Sequence, residues 1–334
     1  MNLDLYFPWR RRALRALVAS TFCLAAAGSA LAQANAPAWP TKPIRVVVGF
    51  APGGSTDVMA RILSQSLSEA LGQPVIIDNK PGASGNIAAS EVIRAAPDGA
   101  TFLIAPTSVE TANPSLFKSS ILPSRDLLPV ATVGRTQMYL VARPQLPAND
   151  VRELVALAKA QPGKLSYASS GTGTPPHLAC ELFKLATGTY ITHIPYRGAA
   201  PALMDVMSGQ ADFVCDPGIA FPHIKAGKVK LLGIVSAKRS PFFPDVPTVG
   251  EMGFKEADLD IWFGMWAPLK TSPEVIARMS REIGKALAQS TLKARYGELG
   301  AEPVAMDTPQ FRTLLDDEGK LLSTLLRDQK IVVD

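Results

Sequence analysis

Cysteine, histidine and clustered carboxylate are scarce in this chain, and each scarcity closes off a chemistry. Three cysteines and three histidines are spread over 334 residues. No two histidines and no two cysteines stand at the i, i+3 or i+4 spacing that would set ligands on one helix face, and no carboxylate cluster accompanies them, so no metal site is expected. The chain has neither the Lys-Ser/Thr pair of G-x-x-x-x-G-K-[ST] nor the third glycine of G-x-G-x-x-G, which removes the standard signatures of nucleotide and dinucleotide cofactors. It also lacks the G-x-S-x-G elbow. A Ser170, His177, Asp212 triad can be written down, but "SSGTGT" offers no turn that would expose a nucleophile, and no catalytic residue is expected. There is no tandem repeat, no low-complexity tract and no uninterrupted apolar run of the roughly 20 residues that a bilayer span needs.

What is present is an ordinary globular composition, 47% apolar and 19% charged, with length for one large or two medium domains. The first 32 residues stand apart. "RRRALR" precedes the alanine-rich "ALVASTFCLAAAGSALA", which ends in an A-x-A-type site, the order of a secretory signal peptide cleaved near Ala32/Gln33 and implying a periplasmic protein. Phe22 and Thr21 stand before Cys23 where a lipoprotein signal has small residues, so no lipid anchor is expected. Removing this segment takes away four Arg and one Asp and lowers the formal charge from +5 to +2. The remaining Lys and Arg are dispersed among acids, which leaves no nucleic-acid patch. Cys180 and Cys215 remain in a compartment that permits disulfides; spacing leaves pairing open, and two buried free thiols are the favoured reading.

Along the chain, β-branched runs alternate with helical patterns. "IRVVVGF", a helix with Val58, Ile62, Leu67 and Leu71 on one face, and "VIIDN" form the first unit. "TFLIA", "KLSYAS", "YITHIPY", "ADFVC" and "KLLGIVS" then alternate with helices near 86–95, 150–161, 176–187 and 199–208, and further helices lie near 273–289 and 308–326. This is the rhythm of an α/β protein with parallel sheets and helical crossovers. The strand-like runs 133–147 and 229–239 are the candidate crossings between two domains. The expected division is 40–137 and 231–334 in the first domain, with 138–230 in the second.

Two stretches use the same device. In "GFAPGGSTDVMARIL" (49–63) and "YASSGTGTPPHLACELF" (167–183) a strand empties through glycine and hydroxyl residues into a helix, whose N-terminus presents backbone N–H groups and partial positive charge to an anion. Ser55, Thr56 and Asp57 are also ordinary capping residues. Two such loops, one per domain at the carboxyl ends of two sheets, favour a ligand held between them. "NKPGASGNIAAS" (79–90) reads as a tight connection with Asn86 near a helix cap.

These stretches, with "LGQPVIIDNKPGASGNIAA", "AAPDGATFL", "HIPYRGAAPALMDVMSGQADF" and "PHIKAGKVKLLGIVSAKRSPFFPDVPTVGEMGF", resemble the Bug family of extracytoplasmic solute receptors associated with tripartite tricarboxylate transporters. The resemblance runs in order from Trp39 to about Leu326. It implies a two-domain, type II periplasmic binding-protein fold with a ligand cleft between domains. It also implies a small carboxylate ligand held by main chain and hydroxyls without a dedicated arginine, a membrane transporter as partner, a monomer, and no cofactor. Carried onto this chain, the ligand-contacting residues would be Ala51, Gly53, Gly54, Ser55 and Thr56, then Ser169, Ser170, Gly173 and Thr174, and Tyr196 of "YRG". Thr107, Ser108 and Asp216, at the ends of the third strand and of "ADFVC", complete the set. "APTSVETANPSLF", with Pro106, Val109 and Glu110, departs from the family's usual text. A receptor serving a sensor kinase and an enzyme on a binding-protein fold are the alternative readings.

Overall fold

The computed structural model describes residues 39–118, 122–255 and 257–328. The expected leader and its cleavage point lie outside the described residues. The compact unit that begins at Lys42 opens with β1 (Ile44–Val48), α1 (Ser55–Leu71), β2 (Val75–Asn79), α2 (Asn86–Ile93) and β3 (Thr101–Pro106), followed by β4 (Leu127–Thr136). A second run comprises β5 (Tyr139–Ala142), α3 (Val151–Ala160), β6 (Ser166–Ser169), α4 (Pro175–Thr187), β7 (Thr192–Pro195), α5 (Ala199–Ser208), β8 (Phe213–Asp216) and β9 (Lys230–Ile234). The chain closes with β10 (Ile261–Pro268), α6 (Pro273–Ala288), α7 (Ser290–Gly297), β11 (Ala301–Glu302) and α8 (Thr308–Asp328).

The strands form two sheets, ordered β11-β4-β10-β3-β1-β2 and β7-β6-β8-β5-β9. β1 pairs parallel with β2 and β3, and β6 pairs parallel with β7 and β8. Beside each parallel trio lies an antiparallel strand that has arrived from the other lobe, β10 against β3 and β5 against β8. The α/β expectation holds, with mixed rather than wholly parallel sheets. The chain crosses from one sheet to the other between β4 and β5. The return comes between β9 and β10. β9 pairs with β5 as the edge of the second sheet, and β10 is the first strand back in the first.

Each helix is held by an apolar stripe. α1 buries Met59, Ile62, Leu63, Leu67 and Leu71 and stops at Gly72, whose left-handed backbone (φ 68°) returns its N–H to Ser68. The first lobe closes around Val47, Leu103, Leu127, Trp266 and Phe311, the second around Tyr139, Val141, Val214 and Phe221. Burying each such large side chain contributes roughly 1.5–3 kcal/mol. In the second lobe α4 packs over β8, which brings Cys180 and Cys215 to a Cα separation of 5.9 Å as a disulfide. This corrects the reading of two free thiols: both residues are fully buried, and the packing of helix on strand, which spacing does not reveal, points them at one another.

Candidate functional site

The first loop, between β1 and α1, is held from below. Asp57, buried in the first helical turn, accepts the Gly53 N–H at 3.0 Å, the Arg61 guanidinium and the Asn79 side-chain amide. Those donors hold its carboxyl below the ordinary aspartate range against the opposing effect of burial. Gly54 is the N-cap, and no side chain caps the helix there. The Ser55 hydroxyl donates to the Pro217 carbonyl at 3.0 Å, so it ties the first lobe to the turn after β8.

The second loop spends most of its hydrogen-bonding groups on itself. Ser169 Oγ lies 2.7 Å from His193 Nε2 and accepts the Gly171 N–H. The Ser170 hydroxyl donates to Thr174 Oγ1, whose own hydroxyl donates to the Gly171 carbonyl at 2.6 Å. The Gly173 N–H donates to His177 Nδ1 at 3.1 Å, which requires that nitrogen unprotonated. His177 and His193 stack with ring centroids 4.3 Å apart. Burial holds both imidazoles below their ordinary range, His193 to about 4, so a neutral pair braces the loop. α4 also begins with Pro175 and Pro176, two residues without N–H groups, which leaves its N-terminus a poorer anion site than that of α1.

Between these loops lies a cleft of about 540 Å³ at the carboxyl ends of β1, β2, β6 and β7. Of the expected residues, Ala51, Ser170, Thr174 and Tyr196 line it. Gly54, Ser55 and Thr56 line an adjoining cavity of about 30 Å³ that shares Phe50 and Ser170 with the cleft, enough space for a carboxylate group or two waters. Gly53, Ser169 and Gly173 are not among the lining residues and act behind the surface through the bonds above.

Three expected contacts are placed elsewhere. Thr107 and Ser108 line a separate void of about 10 Å³ beside Glu318 on α8, where the Thr107 hydroxyl bonds to Glu318. Asp216 is buried and accepts N–H groups from Gly218 and Ala220, so it shapes its own turn; burial pushes its carboxyl up to about 7 in spite of those donors. The Ser170, His177, Asp212 triad is not assembled either. Ser170 bonds to Thr174, His177 to Gly173, and Asp212 to Arg143 and the Ser166 N–H.

Two features of the cleft went unread in the sequence. Residues Pro81–Ser84, taken as a tight connection, form one wall. Ala83 and Ser84 have φ of 48° and 53°, between Gly82 and Gly85 at 135° and 91°. Left-handed non-glycine residues cost about 1–3 kcal/mol each and persist where surroundings impose them. Here Asn113 Nδ2 holds the Ser84 carbonyl at 3.0 Å. The second is Arg197, which lines the cleft although neither loop contains a cation. In the sequence it is the arginine of "YRG", next to the tyrosine expected in the site.

Residues 59–331 match the tripartite tricarboxylate transporter family receptor profile. The chain belongs to that family. It is 37% identical to the protein BugT of Bordetella pertussis over 313 residues, 91% of this chain and 94% of BugT. Among solved structures, the Rpa4515 protein of R. palustris with adipate superposes with a TM-score of 0.85 at 32% identity, covering 88% of this chain and 99% of that one. MatC of Rhodopseudomonas palustris with bound malate gives 0.81 at 32% identity, over 86% and 100%. The family is one of transporter receptors, and another solved structure of the same fold, the periplasmic binding protein BugD, superposes with a TM-score of 0.83 at 34% identity, covering 88% of this chain and 99% of that one. No helix among the described residues is long and apolar enough to cross a membrane.

Proposed function

We propose that the chain is a periplasmic receptor that takes a small carboxylate into the cleft and delivers it to a tripartite tricarboxylate-type membrane transporter. The observation that carries this reading is the cleft itself: no Asp or Glu lines it, an arginine and several hydroxyls do, and the uncapped N-terminus of α1 opens into the adjoining cavity. The adipate and malate held by the two Rhodopseudomonas proteins support the ligand class. Residues 1–32 act as the cleaved export signal, and the mature protein works as a monomer.

The energetics are sufficient. A micromolar ligand needs about −8.2 kcal/mol, whereas charge-assisted hydrogen bonds contribute roughly 1.5–3 kcal/mol each and a helix terminus about 0.3–2. The two lobes carry opposite walls of the cleft, so a ligand touching both favours whichever arrangement brings them together. A thermal-shift screen of dicarboxylates, tricarboxylates, amino acids and aromatic acids tests the reading. A ligand at about 100 times its dissociation constant adds roughly 2.7 kcal/mol of stability, and small-angle scattering should then report a smaller radius of gyration. A screen in which no carboxylate stabilises the protein, or one in which the stabilising acid is turned over, sinks the receptor reading.

A further inference from the structure

The cleft has two unlike faces. On the first-lobe side the residues with side chains in its lining are Phe50, Ala51, Pro81, Ala83, Ser84 and Phe117, and the hydroxyl of Ser84 is buried within the protein. Every other polar side chain in the lining stands on the second-lobe side, where the Ser170, Thr174 and Tyr196 hydroxyls donate to Thr174, the Gly171 carbonyl and Asp205. Phe117 closes the stretch "TSVETANPSLF" after β3, and Asn113 in that stretch joins both halves of the apolar wall. Its carbonyl accepts the Phe117 N–H at 2.8 Å, and its side-chain amide donates to the Ser84 carbonyl at 3.0 Å and to Asn86 Oδ1 at 2.9 Å. Phe117 also packs against the cluster of Leu116, Leu178 and Leu322, and a Cβ on Gly85 would stand 3.5 Å from the Phe50 ring. Both rings are therefore held from behind.

We propose that Phe117, together with Phe50, makes the site selective for acids with a flat, apolar body, aromatic acids above all, over acids that carry hydroxyls on their carbon skeleton. The carboxylate sits at the start of α1, and the body of the ligand lies against the two rings. Contact between aromatic rings favours a flat π-face beyond the area it buries. A skeletal hydroxyl turned to this wall gives up its hydrogen bonds to water and meets no side-chain partner in return, which weakens binding. The number of carboxylates does not enter this preference. The inference rests on the receptor reading of the cleft.

Calorimetry with pairs matched in carboxylate count, benzoate against quinate and terephthalate against galactarate, tests it on wild type, Phe117→Ala and Phe117→Leu. Wild type should bind at least one aromatic acid about ten-fold or more tighter than its hydroxylated partner. Phe117→Ala should weaken that aromatic acid about ten-fold and leave the hydroxylated acid within about two-fold. Phe117→Leu, which keeps the packing on the leucine cluster but not the ring, should lose about three-fold and decides the matter if the alanine variant does not fold. A wild type that binds no aromatic acid or binds the hydroxylated partners as tightly, an aromatic affinity unchanged in the folded variants, or equal losses for both classes overturns the inference, while binding of any other acid from the thermal-shift screen keeps the receptor reading. Carboxylate binding absent from wild type altogether overturns the receptor reading and this inference with it.

Discussion

Gly54→Val separates ligand contact from folding more cleanly than any other change in the site. Gly54 has φ −79° and ψ 164°, extended backbone that valine adopts readily, and a Cβ there would meet only the Ala51 carbonyl oxygen at 3.6 Å, an ordinary contact. At an N-cap, replacing glycine by an aliphatic residue costs up to about 1 kcal/mol. Binding should suffer far more, because Gly54 walls the cavity at the start of α1 and a valine side chain would occupy the space a carboxylate needs. Losing one or two charge-assisted hydrogen bonds together with the helix-terminus term removes roughly 2–4 kcal/mol, or about 30- to 1,000-fold in dissociation constant. Titration calorimetry with the tightest-binding acid from the screen measures the second quantity and urea denaturation the first. Gly53→Val is the control: its φ of 82° makes any side chain strained, so stability and affinity should fall together. A folded Gly54→Val protein with unchanged affinity would refute the argument and remove the first loop from the site.

Thr174→Val removes the shortest of the three hydrogen bonds to the Gly171 carbonyl and the acceptor of the Ser170 hydroxyl; it should weaken binding by about 1–3 kcal/mol, and unaltered calorimetry would take the second loop out of ligand capture. The Cys180–Cys215 bridge spans 35 residues, which corresponds to roughly 3–4 kcal/mol on chain-entropy grounds. Reductant should therefore lower the Tm of the wild type and leave a Cys180→Ser, Cys215→Ser variant unmoved; a wild-type Tm indifferent to reductant, with both thiols then titratable, would contradict the bridge. Burial pushes Glu318 from the usual 4.5 up to about 7. The folded chain then keeps a proton that the unfolded chain releases between those values, so stability falls as pH rises through that window and levels off above it. Glu318→Gln abolishes the fall, and its stability advantage over wild type should grow by roughly 2–3 kcal/mol between pH 5 and pH 8; parallel pH profiles would place the carboxyl at its ordinary value.

The parallel units were legible because each carries its own period: an apolar strand, a glycine-bearing turn and a striped helix occupy one continuous stretch. β10 was not read. "IWFGMWAP" is apolar without alternation, since the strand is wedged between β3 and β4, and its partners lie more than a hundred residues away with register shifts against β4. The disulfide and the left-handed step at Ala83–Ser84 were invisible for the same reason: each is imposed by packing from a distant segment.

The site shows the limit of reading residue types in another way. A run such as "SSGTGT" looks rich in donors for an anion, but composition does not say which groups the fold has already used. Ser169 is taken by His193 and Gly171, the Gly173 N–H by His177 and the Thr174 hydroxyl by the Gly171 carbonyl, and the helix that follows starts with two residues lacking N–H groups. The second loop is therefore a braced wall more than a cradle. The first loop differs, because Asp57 occupies the Gly53 N–H yet nothing caps the helix beyond it. On the proposed reading, the uncapped α1 terminus and the Arg197 side chain in the cleft lining are the groups left to meet an anion.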